Sequence, residues 1–356
     1  MVLLLIILSS VHLTTTLLFT YKIITWRSKK KEVRPAVSII IAARNERDYL
    51  QALIPELLDQ NYHDFEIIVG LDRCTDDSID LLTSFQEPKL KWVDIKNVPD
   101  DWNSKKYALK QAIDLSSKEW LLFTDADCIP NSESWITSMT SEISEKTNVL
   151  VGISPYVPSK KFLAQFNQFE AFMTYFLYSS FHLLKWPYMG VGRNMGIKKV
   201  YFYLLGGYES IKKIRGGDDD LFVQKAARSG IALVLGRSSL VFTFSASGWR
   251  EYLKQKVRHL SVGRHYKSSI TVALSFYHLN HLFTWALMVA SFRSSFLVPI
   301  LLIYLFIKLV SYSFVSDKIG AGFNYILFPI VDGLYAIMIP VIGIWSKLKK
   351  DIEWKN

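Results

Sequence analysis

Two long, nearly uncharged runs stand at the two ends of this 356-residue chain and decide what it can fold into. The first is MVLLLIILSSVHLTTTLLFTYKIITW; the second occupies most of residues 269 to 346. A bilayer core of about 30 Å takes about 20 apolar residues in helical form. Val2 to Trp26 meets that length, so it reads as a membrane span. Positive charge comes after this run, as RSKKKEVR, instead of preceding it, which predicts an uncleaved anchor over a cleaved signal peptide. The positive-inside rule then places Arg27 to Arg34, and the domain after them, in the cytoplasm.

The C-terminal region holds three candidate spans, at about 270 to 290, 295 to 315 and 324 to 345, the first two arranged as a hairpin around SFRSS. Three crossings would carry the tail SKLKKDIEWKN outside, whereas its lysines favour the inside. Both cannot hold, so one run is expected to lie in the interface or fold back. The marked stretches are the one with His278, Asn280 and His281 and the one broken by Asp332 and Pro340. The expected organisation is an anchor over 1–26, a cytoplasmic domain over 27–265, membrane or interfacial helices over 266–346 and a basic tail over 347–356.

Half of the residues are apolar and the formal net charge is +10. Lysines flanking membrane segments and an anionic ligand account for that charge. No basic helix or zinc-finger spacing points to nucleic acid. Two cysteines, Cys74 and Cys128, make neither a disulfide framework nor a metal cluster.

The middle of the chain has the look of a globular domain. AVSIIIAARNERDYLQALIPELLDQ is a β-branched run followed by apolar residues at helical spacing, and DFEIIVGLDRCTDDSIDLLTSF repeats that order. KWVDIK, SKKYALKQAIDLSS and EWLLFTDADCIP continue it. Strands alternating with helices predict an α/β fold, its mostly parallel sheet covered on both faces and its ligands beyond the strands' C-terminal ends. That rule gathers Ala42 to Glu46, Asp72 and Asp125 to Asp127 along one edge, with Arg44 and Lys105 nearby. Carboxylates mixed with cations suit a nucleotide diphosphate and a hard divalent ion, which binds oxygen ligands.

Three consecutive aspartates, Asp218 to Asp220, stand between two glycines and an amphipathic run. One suffices to cap a helix. A second, held among like charges, would have a raised pKa and could act as a general base. The basic stretch YLKQKVRHLSVGRHYK reads as a membrane-surface helix, on which Gln255, Arg258 and His259 share about one face and could meet a departing pyrophosphate.

These segments together resemble the membrane-bound, inverting glycosyltransferases of family 2, the group that includes cellulose, chitin and hyaluronan synthases. VSIIIAARNE resembles the family's opening strand and nucleotide loop, with Ala42 where proline is common. IIVGLDRCTDDS is similar to its second strand, with Leu71 in place of the first aspartate. DDWNSKKYALKQAI resembles the Gly-Trp-x-Gly-Lys motif and FTDADCIP the metal and diphosphate motif. MGVGRNMGIKK and LGGYES resemble the segments around the acceptor site. QKVRH matches Gln-x-x-Arg-Trp except that His259 replaces the tryptophan.

The resemblance implies a GT-A fold, with one N-terminal and about three C-terminal transmembrane helices, in an integral protein of a bacterial cell membrane. It implies a UDP- or GDP-linked sugar held by Ala43, Arg44, Asn45, Glu46, Asp72, Lys105 and Asp125. It further implies Mg²⁺ or Mn²⁺ on Asp125 and Asp127, Gln255, Arg258 and His259 on the diphosphate and acceptor side, and Gly192, Arg193 and Asn194 near the acceptor. The catalytic base is Asp218 by counting back from Leu221, or Asp219 by matching Gly-Asp-Asp. A single displacement would then invert the anomeric carbon.

The acceptor is expected to be lipid-linked or otherwise membrane-associated, because the aromatic stretch 162 to 186 lies between the metal motif and the base in a chain anchored at both ends. The replaced tryptophan and the few C-terminal spans argue against the alternative, a processive polysaccharide synthase. An inactive scaffold would have lost carboxylates that are present here.

Overall fold

A computed structural model describes residues 2–28, 34–226, 230–290 and 298–348. After α1 (Val2–Thr25), the strands and helices of the middle region keep to the predicted alternation. They are β1 (Val37–Ala43), α2 (Arg47–Leu58), β2 (Phe65–Asp72), α3 (Ser78–Ser84), β3 (Leu90–Ile95), α4 (Ser104–Leu115) and β4 (Trp120–Phe123). Next are β5 (Cys128–Pro130), α5 (Trp135–Thr140) and β6 (Val149–Val151). Beyond α6 (Phe162–Leu183) come β7 (Met195–Lys198), α7 (Lys199–Leu204), α8 (Asp220–Ala226), β8 (Ile231–Leu233) and β9 (Val241–Thr243).

Seven strands form one sheet in the order β3-β2-β1-β4-β7-β6-β8, and β5 pairs with β9 in a second, two-stranded sheet. The pairs β1–β2, β1–β4, β2–β3 and β6–β8 are parallel, while β7 runs antiparallel to both of its neighbours. The expected α/β, mostly parallel architecture is therefore present. Val37, Ile39, Ile40 and Ile41 of β1 are fully buried, since helices cover both faces of this central strand. Each such side chain contributes roughly 1.5–3 kcal/mol relative to exposure. The strand order changes direction at β1, between β2 and β4. Ligands of open α/β sheets bind beyond the strand ends at such a switch point.

The chain divides into two compact units: residues 27–157 with 187–244, which contain both sheets, and residues 1–26, 158–186 and 245–356. Two segments of the domain expected over 27–265, namely 158–186 and 245–265, thus cluster with the apolar helices. The second unit contains α1, α6, α9 (Trp249–Ser261), α10 (Ser268–Ala290), α11 (Val298–Ile319) and α12 (Phe328–Leu348). Sixteen of the 22 residues of α6 are buried, Phe162 at its start being exposed, so the aromatic stretch is chiefly a packed helix.

Among the described residues, three helices are long and apolar enough to cross a membrane: Leu3–Thr25, Val298–Ile319 and Phe328–Leu348. The first C-terminal run expected as a span is helical as α10 but falls outside this set, because His278, Asn280, His281 and Thr284 lower its hydropathy. The SFRSS turn and the last residues of the tail lie outside the described residues.

Candidate active site

The sheet unit brings together Lys105, Asp125, Gly192, Tyr208 and Asp218 around one cavity. Asp125 stands two residues beyond β4, so the strand itself delivers the carboxylate to the switch point. Lys105 comes from the first turn of α4, whose N-terminus is capped by Asn103 accepting from the Lys106 amide. Lys105 Nζ lies 2.8 Å from Asp125 Oδ1 and 3.7 Å from Asp218 Oδ2. Burial works against the ammonium, but the charges of Asp125 and Asp218 outweigh it and raise its pKa. One fixed cation therefore bridges two carboxylates contributed by segments nearly a hundred residues apart.

The two acids left open by the sequence have different surroundings. Asp218 lines the cavity, whereas Asp219 accepts from the Gly192 amide at 2.8 Å and from the Asp220 amide at 2.8 Å. Burial first, and then the neighbouring Asp218 charge, raise the Asp219 pKa, while those amides and Lys105 pull it down. Gly192 has a steric reason to be glycine: a Cβ there would lie 3.3 Å from Asp219 Oδ2 and 3.4 Å from Asp218 Oδ2. Gly216 and Gly217 both have positive φ, 85° and 75°, which lets the chain turn sharply into the acid cluster.

The structure also reveals supports that no local sequence pattern marks. Lys106 is fully buried and donates through Nζ to the carbonyls of Ile214, at 2.5 Å, and Gly216, at 2.6 Å. Burial lowers its pKa against the opposing pull of Asp218 and Asp219. Asn103 N donates to Lys212 O at 2.6 Å, so the start of α4 is stitched to the loop that leads into the acids. Tyr208 is buried in the cavity wall, and burial, with Asp218 and Asp219 nearby, pushes its pKa well up.

Of the nucleotide-loop candidates, Ala43 ends β1, and Arg44, Asn45 and Glu46 form the turn from it into α2. Asn45 has a φ of 54° and its Oδ1 accepts from the Thr75 amide at 2.8 Å. Asp76, another residue that the sequence motifs did not single out, accepts from the Arg47 amide at 3.0 Å and from Ser78 Oγ at 2.6 Å, lacing the loops after β1 and β2 together. Asp72 is buried and receives Arg73 Nε at 2.8 Å and Nη2 at 3.3 Å.

In the glycine-rich segment, Asn194 is wholly buried and committed to framework bonds. It donates to Ile153 O and Ser239 O, each at 2.7 Å, and accepts from Trp135 Nε1 at 3.0 Å. Arg193 donates to Ser154 Oγ at 2.6 Å and to Ser154 O at 3.2 Å. Burial opposes its charge, while Tyr156, Cys128, Asp125 and Asp127 hold its pKa above the ordinary value. Gln255, Arg258 and His259 lie on α9, in the unit of apolar helices.

Asp125 and Asp127 fit a hard divalent ion by their donor chemistry. Asp127 is half-buried and accepts from Cys128 Sγ at 3.7 Å. Among the described residues no three His, Cys, Asp or Glu side chains converge on a ready-made cage. Two carboxylates sharing an ion with substrate phosphates is the arrangement Mg²⁺ commonly takes, so the donor set suits a metal that arrives with a diphosphate.

Residues 38–204 match the family described as Glycosyl transferase family 2. The UDP-Glc:alpha-D-GlcNAc-diphosphoundecaprenol beta-1,3-glucosyltransferase WfaP of Escherichia coli is 29% identical over 130 residues, 36% of this chain. The match spans 48%, about half, of that relative's length. The mannosyltransferase PcManGT from Pyrobaculum calidifontis, solved in complex with GDP-Man and Mn²⁺, superposes with a TM-score of 0.61 at 16% identity, covering 97% of this chain and 99% of that one. The likeness is one of fold.

Proposed function

We propose that the chain, whose residues 38–204 match the Glycosyl transferase family 2 model, is a glycosyltransferase that transfers one sugar from a nucleotide-diphospho-sugar to a lipid-linked acceptor with inversion. The observation that carries this reading is the convergence of Lys105, Asp125 and Asp218 on one cavity at the switch point of the sheet. In this reading the donor is UDP- or GDP-linked. The lipid-linked acceptor is supported by the acceptor in the name of the E. coli relative and by the helices long and apolar enough to cross a membrane.

Asp125 and Asp127 would hold Mg²⁺ or Mn²⁺, which supplies positive charge for the diphosphate and so stabilises the leaving group. Lys105 lies beside the same cavity and neutralises charge developing on the departing oxygen. Asp218 is assigned as the base because its carboxylate faces the cavity, while one Asp219 oxygen is tied to the Gly192 amide. The acceptor hydroxyl gives its proton to Asp218 and its oxygen bonds to the anomeric carbon. The bond from that carbon to the diphosphate breaks, and its electron pair leaves with the nucleotide. One displacement from the opposite face inverts the configuration.

Purified protein assayed with a panel of UDP- and GDP-sugars, Mn²⁺ and a polyprenyl-diphosphate-linked sugar is expected to extend the acceptor by one residue. Chelation of the metal and Asp218→Asn are each expected to abolish transfer. Transfer by Asp218→Asn at the wild-type rate would remove the assigned base, and products longer by many sugars would replace single transfer with polymerisation.

A further inference from the structure

The membrane-associated helices are not all used in the way their hydropathy suggests. α10 runs antiparallel to α1 along most of its length: Tyr277 meets Phe19 with ring centroids 6.3 Å apart, His281 stacks on His12 at 4.5 Å, and Met288 packs with Leu5. α11 runs parallel to α1, since Tyr304 OH lies 2.7 Å from His12 Nδ1 and Lys318 Nζ sits 5.5 Å from the ring centre of Trp26. A crossing by α1 therefore takes α10 and α11 across with it. The polar residues that lower the hydropathy of α10 face inward, where Asn280, His281 and Thr284 are buried, while Val272, Phe276, Phe283 and Val289 are exposed on the outside of the bundle.

α12 behaves differently. Near its start, Asp332 receives Lys308 Nζ at 2.8 Å on both oxygens and Trp285 Nε1 at 2.8 Å, with His281 Nε2 at 3.1 Å. One turn later Tyr335 meets the ring of His278 at 5.9 Å. Near its end, the Ser346 carbonyl accepts from Arg264, a residue that precedes α10. The partners of α12 thus retreat along α10 from its middle to its beginning. From Ser268 to His281 is about 20 Å of helix and from Asp332 to Ser346 is about 21 Å, so the two distances match.

α12 also packs against α9, which carries Arg250, Lys254 and Arg258, charges that hydrocarbon does not accept. The connection over 320–327 then has to reach mid-membrane without being helical, which irregular backbone does only where protein meets its polar groups. Protein meets some of those groups: Tyr175 OH donates to Ala321 O at 3.0 Å and Ile326 N to Asn324 Oδ1 at 3.0 Å, while Asn324 Nδ2 ties the connection to α6 through Gln165 Oε1 at 2.8 Å.

We propose that α10 and α11 are the crossing pair and that α12 is a re-entrant helix, pinned at mid-membrane by Asp332 and returning to the side on which α1 ends. The tail then lies on that side, which reconciles its lysines with the number of crossings.

Single cysteines at Arg27, Ser294, Asp317 and Asn356, labelled with a membrane-impermeant maleimide in sealed vesicles of both orientations, test this. Labelling is counted above the background from Cys74 and Cys128. With Arg27→Cys as the reference face, the expected pattern is Ser294→Cys on the opposite face and Asp317→Cys and Asn356→Cys on the same face. Ser294→Cys and Asn356→Cys on the reference face with Asp317→Cys opposite would show α11 and α12 to be the crossing pair. Ser294→Cys and Asn356→Cys both opposite would show that α10, α11 and α12 all cross. Either of those patterns overturns the proposal.

Discussion

Lys105, Asp125 and Asp218 could be found from the sequence because two of them come after a strand or open a helix, and the third comes after a double glycine. What the sequence did not reveal is how the two candidate bases differ, since that depends on the Gly192 amide, 27 residues from Asp219. Asp218→Asn is expected to lower kcat by at least about a thousandfold, since general-base catalysis alone accounts for about 10²–10⁴. Asp219→Asn, which keeps an oxygen for one amide, is expected to retain measurable turnover. Steady-state kinetics of both variants decide the matter, and equal losses would undo the division of roles. Lys106 was equally hidden, because nothing local says that its ammonium reaches carbonyls 108 and 110 residues away. Lys106→Met should lower kcat several-fold or more with little change in KM for the donor, since its two bonds hold the loop before Asp218. Lys106→Arg should recover part of the loss, and an unchanged kcat for the methionine variant would dismiss the loop clamp.

At the scale of elements, the alternation of strand and helix through β4 was legible because buried parallel strands are continuous apolar runs and their helices keep a separate spacing. The antiparallel β7, set between β4 and β6, was not, for its four residues have no local sign of direction. A polar tie across three strands makes the element level testable. Glu66 of β2 accepts from Ser38 Oγ of β1 at 2.7 Å, from Lys91 Nζ of β3 at 2.7 Å and from the Ser117 amide at 2.6 Å. Burial pushes its pKa up, but these donors together win and bring it down to about 2. A carboxylate depressed in this way adds stability above its unfolded pKa and loses it as pH falls toward 2. At 1.36 kcal/mol per pKa unit the contribution is about 3 kcal/mol near neutral pH. Glu66→Gln is therefore expected to melt several degrees lower at pH 7, with the gap to wild type narrowing toward pH 3. A gap independent of pH would mean that the carboxylate charge has no part in it.

At the scale of the whole molecule, the apolar ends were legible from length and hydropathy alone, whereas their inner chemistry was not. His12, His281, Lys308 and Asp332 come from four different helices, and only folding shows that Asp332 takes Lys308 and His281 as partners while His12 stacks on His281 and pairs with Tyr304. Lys308 and Asp332 are both fully buried, so their pairing replaces water that neither can reach. Removing one partner leaves an uncompensated charge, which typically costs about 3–5 kcal/mol, while replacing both with apolar groups of similar size is often neutral. Asp332→Asn or Lys308→Met alone should then lower the melting temperature in detergent micelles markedly, and the double variant Lys308→Met with Asp332→Leu should recover most of that loss. If the charges acted independently, the double variant would instead show the sum of the two single effects. Recovery would locate the stability of this unit in charge compensation inside the bundle, and a sum would leave the packing of α1, α10, α11 and α12 to account for it.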